Sequence, residues 1–189
     1  MPHTEATSLT GELLVAMPTM GDPRFERAVI YVCAHNDEGA MGLIVNKLVD
    51  ALSFGELLDQ VGIETEGARA DVNIHFGGPV ETSRGFVLHS TDYVQEGSMR
   101  VSESTALTAT LDVLRDIAHY QGPRRHLLAL GYAGWGPGQL DQEIQANGWL
   151  HVAADEELLF ASASEDKWER AIAKLGFDPS SLSGHAGHA

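Results

Sequence analysis

Cations are scarce in this chain. Its 189 residues carry 12 lysines and arginines against 27 aspartates and glutamates, a formal charge of −15. That balance repels phosphate backbones and anionic lipid, so nucleic-acid and membrane-surface binding start at a disadvantage. Cysteine is nearly missing as well. A single thiol, Cys33, excludes an intrachain disulfide and any multi-cysteine zinc or iron–sulfur centre. No long apolar run exists either: the longest, Ala28 to Ala34, falls far short of the roughly 20 residues a membrane helix needs. The opening MPHTEATSLTGE has neither a basic start nor a long apolar stretch, so it does not read as a secretory signal. The expectation is a soluble, cytoplasmic protein.

Catalytic signatures are also wanting. The chain has no G-x-S-x-G, no H-E-x-x-H and no G-x-x-x-x-G-K-[ST]. What is there is ordinary globular material, 43% hydrophobic and 21% charged. The length suits one domain, able to bury roughly 70% of its unfolded surface without a staple.

Hydrophobic patterning predicts strands at 13–17, 28–34, 41–45, 72–76, 85–89, 126–130 and 149–152. The 28–34 segment is apolar on both alternating faces, the mark of a strand covered on both sides. A short helix opens at Ser53, where Ser53 and Glu56 form a capping box and Gly62 provides the stop. A longer helix is expected over 104–120, with Leu107, Leu111, Leu114 and Ala118 as its stripe. Another spans about 139–146. The last is capped by Ser164 and carries Trp168, Ala171, Ile172 and Leu175 on one face. Residues 1–8 and 181–189 read as loose ends around one domain at 9–180.

Two glycine-dense stretches invite a site. Gly131 to Gly138 lies between a strand and a helix, where amides could hold an anion. Asp141 and Glu143 at that helix start would repel a phosphate, and a tight connection is the plainer reading. His75-Phe76-Gly77-Gly78-Pro79-Val80 is a sharp turn, followed by Arg84, which can hold an anionic ligand or pair with carboxylates such as Glu81. If these turns converge, His75, Arg84, Trp135 and Gln139 wall a ligand pocket. Cys33 and His35 are expected to share a strand face, too far apart for a direct hydrogen bond, so the thiol reads as structural. His35-Asn36-Asp37 and His89-x-x-Asp92 each offer too few ligands for a metal, and His185 and His188 fall in the tail. No metal and no cofactor are expected. Between Arg125 and Lys167 there is no cation but seven acids: Asp141, Glu143, Asp155, Glu156, Glu157, Glu165 and Asp166. This acidic C-terminal third is a solvated face or a docking surface for a protein partner.

The chain resembles the AlgH/YqgE family. Leu14 to Met20, Asp22-Pro23-Arg24-Phe25, Ala28 to Asn36 and Gly39 to Asn46 are similar to its opening. His75 to Val80, Arg84 to Ser90, and Gly131 to Leu140 with Glu143, Asn147 and Trp149 resemble its middle motifs. Phe160, Trp168, Leu175-Gly176 and the tail Gly184 to Ala189 resemble its end. Lys47 and Leu48 depart from the family's frequent arginine-proline pair. The resemblance implies an α+β fold: a single compact domain with an irregular barrel-like mixed β-sheet core and about four helices around it. It carries a label of transcriptional regulator, no established biochemical activity and no catalytic residues.

Charge and the missing recognition module argue against direct DNA binding. The reading is therefore a regulatory or interaction protein, leaning away from an enzyme and acting through a protein partner. Its alternative is a small-molecule binder, or an enzyme of unrecognised chemistry, with a pocket between the glycine-rich turns.

Overall fold

The computed structural model describes residues 8–176. The expected loose ends, Ser8 apart, and the histidine tail with His185 and His188 lie outside those residues.

Within residues 8–176 nine strands form one curled, half-barrel sheet: β1 (Glu12–Ala16), β2 (Val29–Asn36), β3 (Gly39–Ile44), β4 (Ile74–Phe76), β5 (Val80–Ser90), β6 (Met99–Arg100), β7 (Thr105–Thr108), β8 (His126–Trp135) and β9 (Trp149–Ala153). Their order is β6-β7-β5-β8-β3-β2-β1-β9, with β4 added in parallel against β8 and every other pairing antiparallel. Among the described residues four α-helices accompany the sheet: α1 (Phe54–Gln60), α2 (Leu111–Ala118), α3 (Gln139–Gln145) and α4 (Lys167–Lys174). A π-helical turn (Glu157–Ala161) and a 3-10 turn (Ser164–Asp166) lead into α4.

Alternation along the strands separates two cores, and the helices build a third. Leu13, Val15, Tyr31, Leu43 and Leu88 pack on Trp168 and Ile172 of α4 and on Leu158 and Leu159 of the π turn. Their strand neighbours Leu14, Ala16, Ile30 and Ile44 pack instead with Trp135, Trp149 and Leu140 of α3. Thus β2 is covered on both sides, as its doubly apolar sequence requires. The helices α1 and α2 close the third core over Ile74, Val87 and Leu128. At α1 both halves of the capping box form, Glu56 N to Ser53 Oγ and Ser53 N to Glu56 Oε1, each 3.1 Å.

Four local expectations change. The 104–120 helix is shorter, because Thr105–Thr108 is strand β7 and only Leu111–Ala118 is helical. Thr105 and Thr108 are β-branched and their hydroxyls bond Tyr31 and His89, which commits this segment to the sheet. The four-residue apolar stripe therefore joined two elements, and Leu111 is 49% exposed. Second, Gly131 to Trp135 is strand rather than connection, leaving Gly136 to Gly138 as the link to α3. Third, Ser164 caps nothing with its side chain; it opens the 3-10 turn and its hydroxyl bonds His75. Fourth, a bulge between Val32 and Ala34 breaks the alternation of β2. Cys33 packs in the first core, whereas His35 accepts from the Leu9 amide (3.0 Å) and faces Asp141 (3.5 Å) beside the core under α3.

Candidate functional site

The strand β8 borders two cavities that hold sequence-predicted candidates. Its first half, Leu128 to Leu130, is held between β4 and β5, while its second half, Ala133 to Trp135, pairs with β3. Gly131 marks the change, with φ at +77°. The two glycine-rich stretches do converge there. Gly77 donates to the Leu130 carbonyl (2.7 Å), and its own carbonyl accepts from Ile44 (2.8 Å). A Cβ on Gly78 would strike the Tyr132 and Ala133 backbone, and one on Gly131 would strike the Gly78 carbonyl. Backbone fills the space that side chains would need, so the convergence is a packed crossing with cavities beyond it on either side.

Beyond the crossing, β2, β3, β5 and β8 line an open groove of about 610 Å³. Met41, Phe86 and Tyr132 form its floor, Phe86 and Tyr132 meeting edge to face at 5.8 Å between centroids. All three are continuous with the core under α4. The rim holds Asn36, Glu38, Glu81 and Arg84. Arg84 lies 5.0 Å from the Phe86 centroid and 3.7 Å from Glu81 Oε2. Glu81 itself has φ of +48°, an unusual conformation for a carboxylate residue, within the bulge of β5 between Val80 and Gly85.

The four residues proposed for a pocket do not share one. Arg84 and Trp135 line the groove. Trp135 is buried, and its indole donates to Glu143 Oε1 (3.0 Å), which also accepts from the Trp149 indole (2.9 Å). Gln139 is exposed beside them: its Oε1 accepts from the Gly136 amide (2.9 Å) and its Nε2 donates to Glu143 Oε2 (2.8 Å). Glu143, expected to repel a phosphate and to belong to the acidic C-terminal third, is thus the hub that ties α3 to β8 and β9.

His75 sits elsewhere, in a smaller cavity of about 210 Å³ on the other side of the crossing. Its Nδ1 lies 3.0 Å from the Leu128 carbonyl and must carry the proton, so Nε2 accepts from Ser164 Oγ at 3.3 Å. Burial, reinforced by the Lys167 charge, pushes this imidazole down to about 4, leaving it neutral at physiological pH. Lys167 shares the cavity and is only 2% exposed. It was expected only as the end of the cation-free stretch, yet it is buried on the apolar stripe of α4 with Trp168, Ala171 and Ile172. A lysine inside such a stripe was the available signal.

The remaining candidates are structural. Burial pushes the Cys33 thiol up to about 12, which suppresses the thiolate. His89 is fully buried between the Ser90 carbonyl (2.8 Å) and Thr108 Oγ1 (2.7 Å), while Asp92 accepts from Ser90 and the Arg124 amide. Among the described residues no three His, Cys, Asp or Glu side chains are grouped to hold a metal ion, and no helix is long and apolar enough to cross a membrane.

Comparison with known proteins agrees with the architecture. The AlgH-like family profile matches residues 13–180. A UPF0301 protein of Rhodospirillum rubrum is 57% identical over 181 residues, covering 96% of this chain and 94% of its own. One from Bradyrhizobium diazoefficiens is 52% identical over 196 residues, covering 100% and 92%. The solution structure of AlgH from Pseudomonas aeruginosa superposes with a TM-score of 0.80 at 40% identity, over 100% of both chains. A Corynebacterium diphtheriae protein, DIP2367, shares the fold at TM-score 0.69 and 23% identity, over 86% and 84%. On this sequence and structural similarity, the chain belongs to the AlgH-like UPF0301 family, whose function is uncharacterised.

Proposed function

We propose that this chain is a non-enzymatic interaction protein of regulatory type, and that the groove over β2, β3, β5 and β8 docks a basic segment of a protein partner. The observation that carries this reading is the groove itself. An apolar floor of Met41, Phe86 and Tyr132 opens to solvent under a rim holding two carboxylates, Glu38 and Glu81, against one cation, Arg84. Aromatic faces beside net negative charge suit a lysine or arginine side chain with apolar neighbours. Its volume is in the range of ligand sites, and the chain's charge of −15 favours the encounter.

The acidic C-terminal third is a poorer dock, because much of it is engaged internally. Glu143 holds two indoles, Asp155 accepts from the Leu158 amide and pairs with Lys174 at 2.7 Å, Asp141 faces His35, and Glu156 is 3.9 Å from Arg124. Direct DNA recognition has still less support. Seven of the 12 lysines and arginines are paired with carboxylates, from Arg24 at one end of the chain to Lys174 at the other. Cations so engaged are poor material for the basic track that a duplex requires.

Affinity capture from extract of the source cell tests the reading, with the full chain as bait. A partner should be retained by the wild type, weaken as salt is raised, and be lost by the double variant Glu38→Lys/Glu81→Lys and by Met41→Asp. Recovery of the same proteins on all three baits would refute it.

A further inference from the structure

The smaller cavity contains a cation that the fold leaves electrostatically uncompensated. Lys167 Nζ donates to the carbonyls of Val45 (2.8 Å) and Leu159 (2.7 Å), and among the described residues it makes no ion pair. Two neutral carbonyl dipoles are a thin replacement for water around an ammonium. Burial accordingly pushes Lys167 down to about 8, yet it stays mostly protonated at neutral pH. An ammonium has three protons, and two are taken.

Polar side chains share the rest of the lining with the apolar Val72, Leu127, Leu128 and Phe160. Ser164 presents a hydroxyl, His75 holds that hydroxyl from behind through Nε2, and Asn73 adds an amide. His75 is in turn fixed by the Leu128 carbonyl, so its orientation is set by β8 rather than by the occupant. Ser164 also opens the 3-10 turn into the eight-residue helix α4, whose positive end faces the same region. One carboxylate, Asp71, lies on the lining, but Arg69 holds both its oxygens at 2.8 and 2.9 Å. His126 completes the polar wall.

We propose that this cavity is a binding site for a small oxyanion, a carboxylate or a phosphate, held by the Lys167 ammonium and the Ser164 hydroxyl with His75 as the positioning residue. The occupant would supply the negative charge that the protein's own side chains withhold. Lys167 would make its third hydrogen bond to the anion, and Ser164 would turn its proton to it while Nε2 of His75, taking up a proton in the bound state, donates to Ser164 Oγ. The cavity, about 210 Å³, has room for an acetate-like or phosphate-like group. This site is independent of the groove: it lies on the first half of β8, shares no lining residue with it and prefers the opposite charge.

The test is an NMR titration of the full chain with 13C-labelled lysine. Sodium acetate and sodium phosphate form separate arms, with sodium chloride at matched ionic strength as control. The Lys167 ε-carbon signal should move saturably with acetate or phosphate and not with chloride; the arm saturating at lower concentration identifies the class. Lys167→Met, a near-isostere that removes the charge, should weaken binding at least about tenfold by calorimetry, and Ser164→Ala several-fold. Should Lys167→Met not fold, the wild-type titration and Ser164→Ala still decide. An unmoved Lys167 signal, an equal response to chloride, or unchanged binding in the folded variants would overturn the proposal.

Discussion

The two halves of β8 make an informative pair. Residues 128–130 lie between β4 and β5 and back the smaller cavity, where one ammonium has carbonyls but no carboxylate as hydrogen-bond partners. Residues 133–135 pair with β3 beside an open groove whose rim pairs Arg84 with Glu81 and leaves Glu38 in excess. The sheet is continuous through both, and Gly131 separates them. The lesson is that one strand can serve two electrostatic environments when a glycine crossing lets backbone pack on backbone between them. The interior half accepts an unfavourable charge; the surface half leaves apolar area in water. Each departure from what stability alone would choose marks a place where an occupant could restore the balance.

The crossing is the way to break that comparison outright. Gly78→Ala would drive a Cβ into the Tyr132 and Ala133 backbone from a φ of +155°. We expect a loss of about 3 kcal/mol or more, which for a domain of this size lowers Tm by roughly 10 °C. Thermal denaturation followed by circular dichroism reads it, and a change under 3 °C would contradict the close approach.

A comparable effect separates the halves by pH. The folded-state pKa of His75 lies near 4, below the ordinary 6.5, so the unfolded chain binds the extra proton between those values. Stability should therefore be full above pH 6.5 and fall as the pH drops toward 4, on the order of 3 kcal/mol from this residue. Burial lowers His89 and His126 as well and adds in the same direction. Lys167, held near 8 against 10.5, works over a different window: the native state sheds its proton first, so stability should rise from pH 8 to 10.5. Urea denaturation across pH measures both, and His75→Asn should flatten the acid limb.

Glu143→Ala sharpens the contrast from the groove side. Two buried indole N–H groups would lose their acceptor, at a cost of about 2 kcal/mol. Near-ultraviolet circular dichroism should show the Trp135–Trp149 pair loosened from its 6.2 Å edge-to-face contact. Smallest of all is Arg84→Ala. Its ion pair with Glu81 is solvent-exposed, so stability should change by less than about 0.5 kcal/mol while partner binding responds.

Much of the fold was legible because local chemistry and tertiary structure agreed. The Ser53–Glu56 box, the doubly apolar β2 and the Trp149 strand all form where patterning put them. Patterning failed where the deciding partner was distant. Nothing near Thr105 announces the Tyr31 hydroxyl that helps hold it in the sheet, and nothing near Cys33 announces a bulge. The site was less legible. Arg84 and Trp135 do border the groove, but His75 turned toward Ser164, a residue 89 positions away. Met41, Phe86 and Tyr132 read as ordinary strand residues, since exposure on one face of a curled sheet depends on its curvature. Lys167 was hidden in an otherwise regular amphipathic helix.

The interaction surface is the central claim, and mapping it by NMR tests it most directly. Titrating the 15N-labelled full chain with a short peptide of arginines and tryptophans should shift the amides of Met41, Phe86, Tyr132 and Gly134 saturably, while α3 and α4 stay still. Shifts confined to the acids of α3 and α4, or spread evenly over the negative surface, would contradict the groove as the docking site.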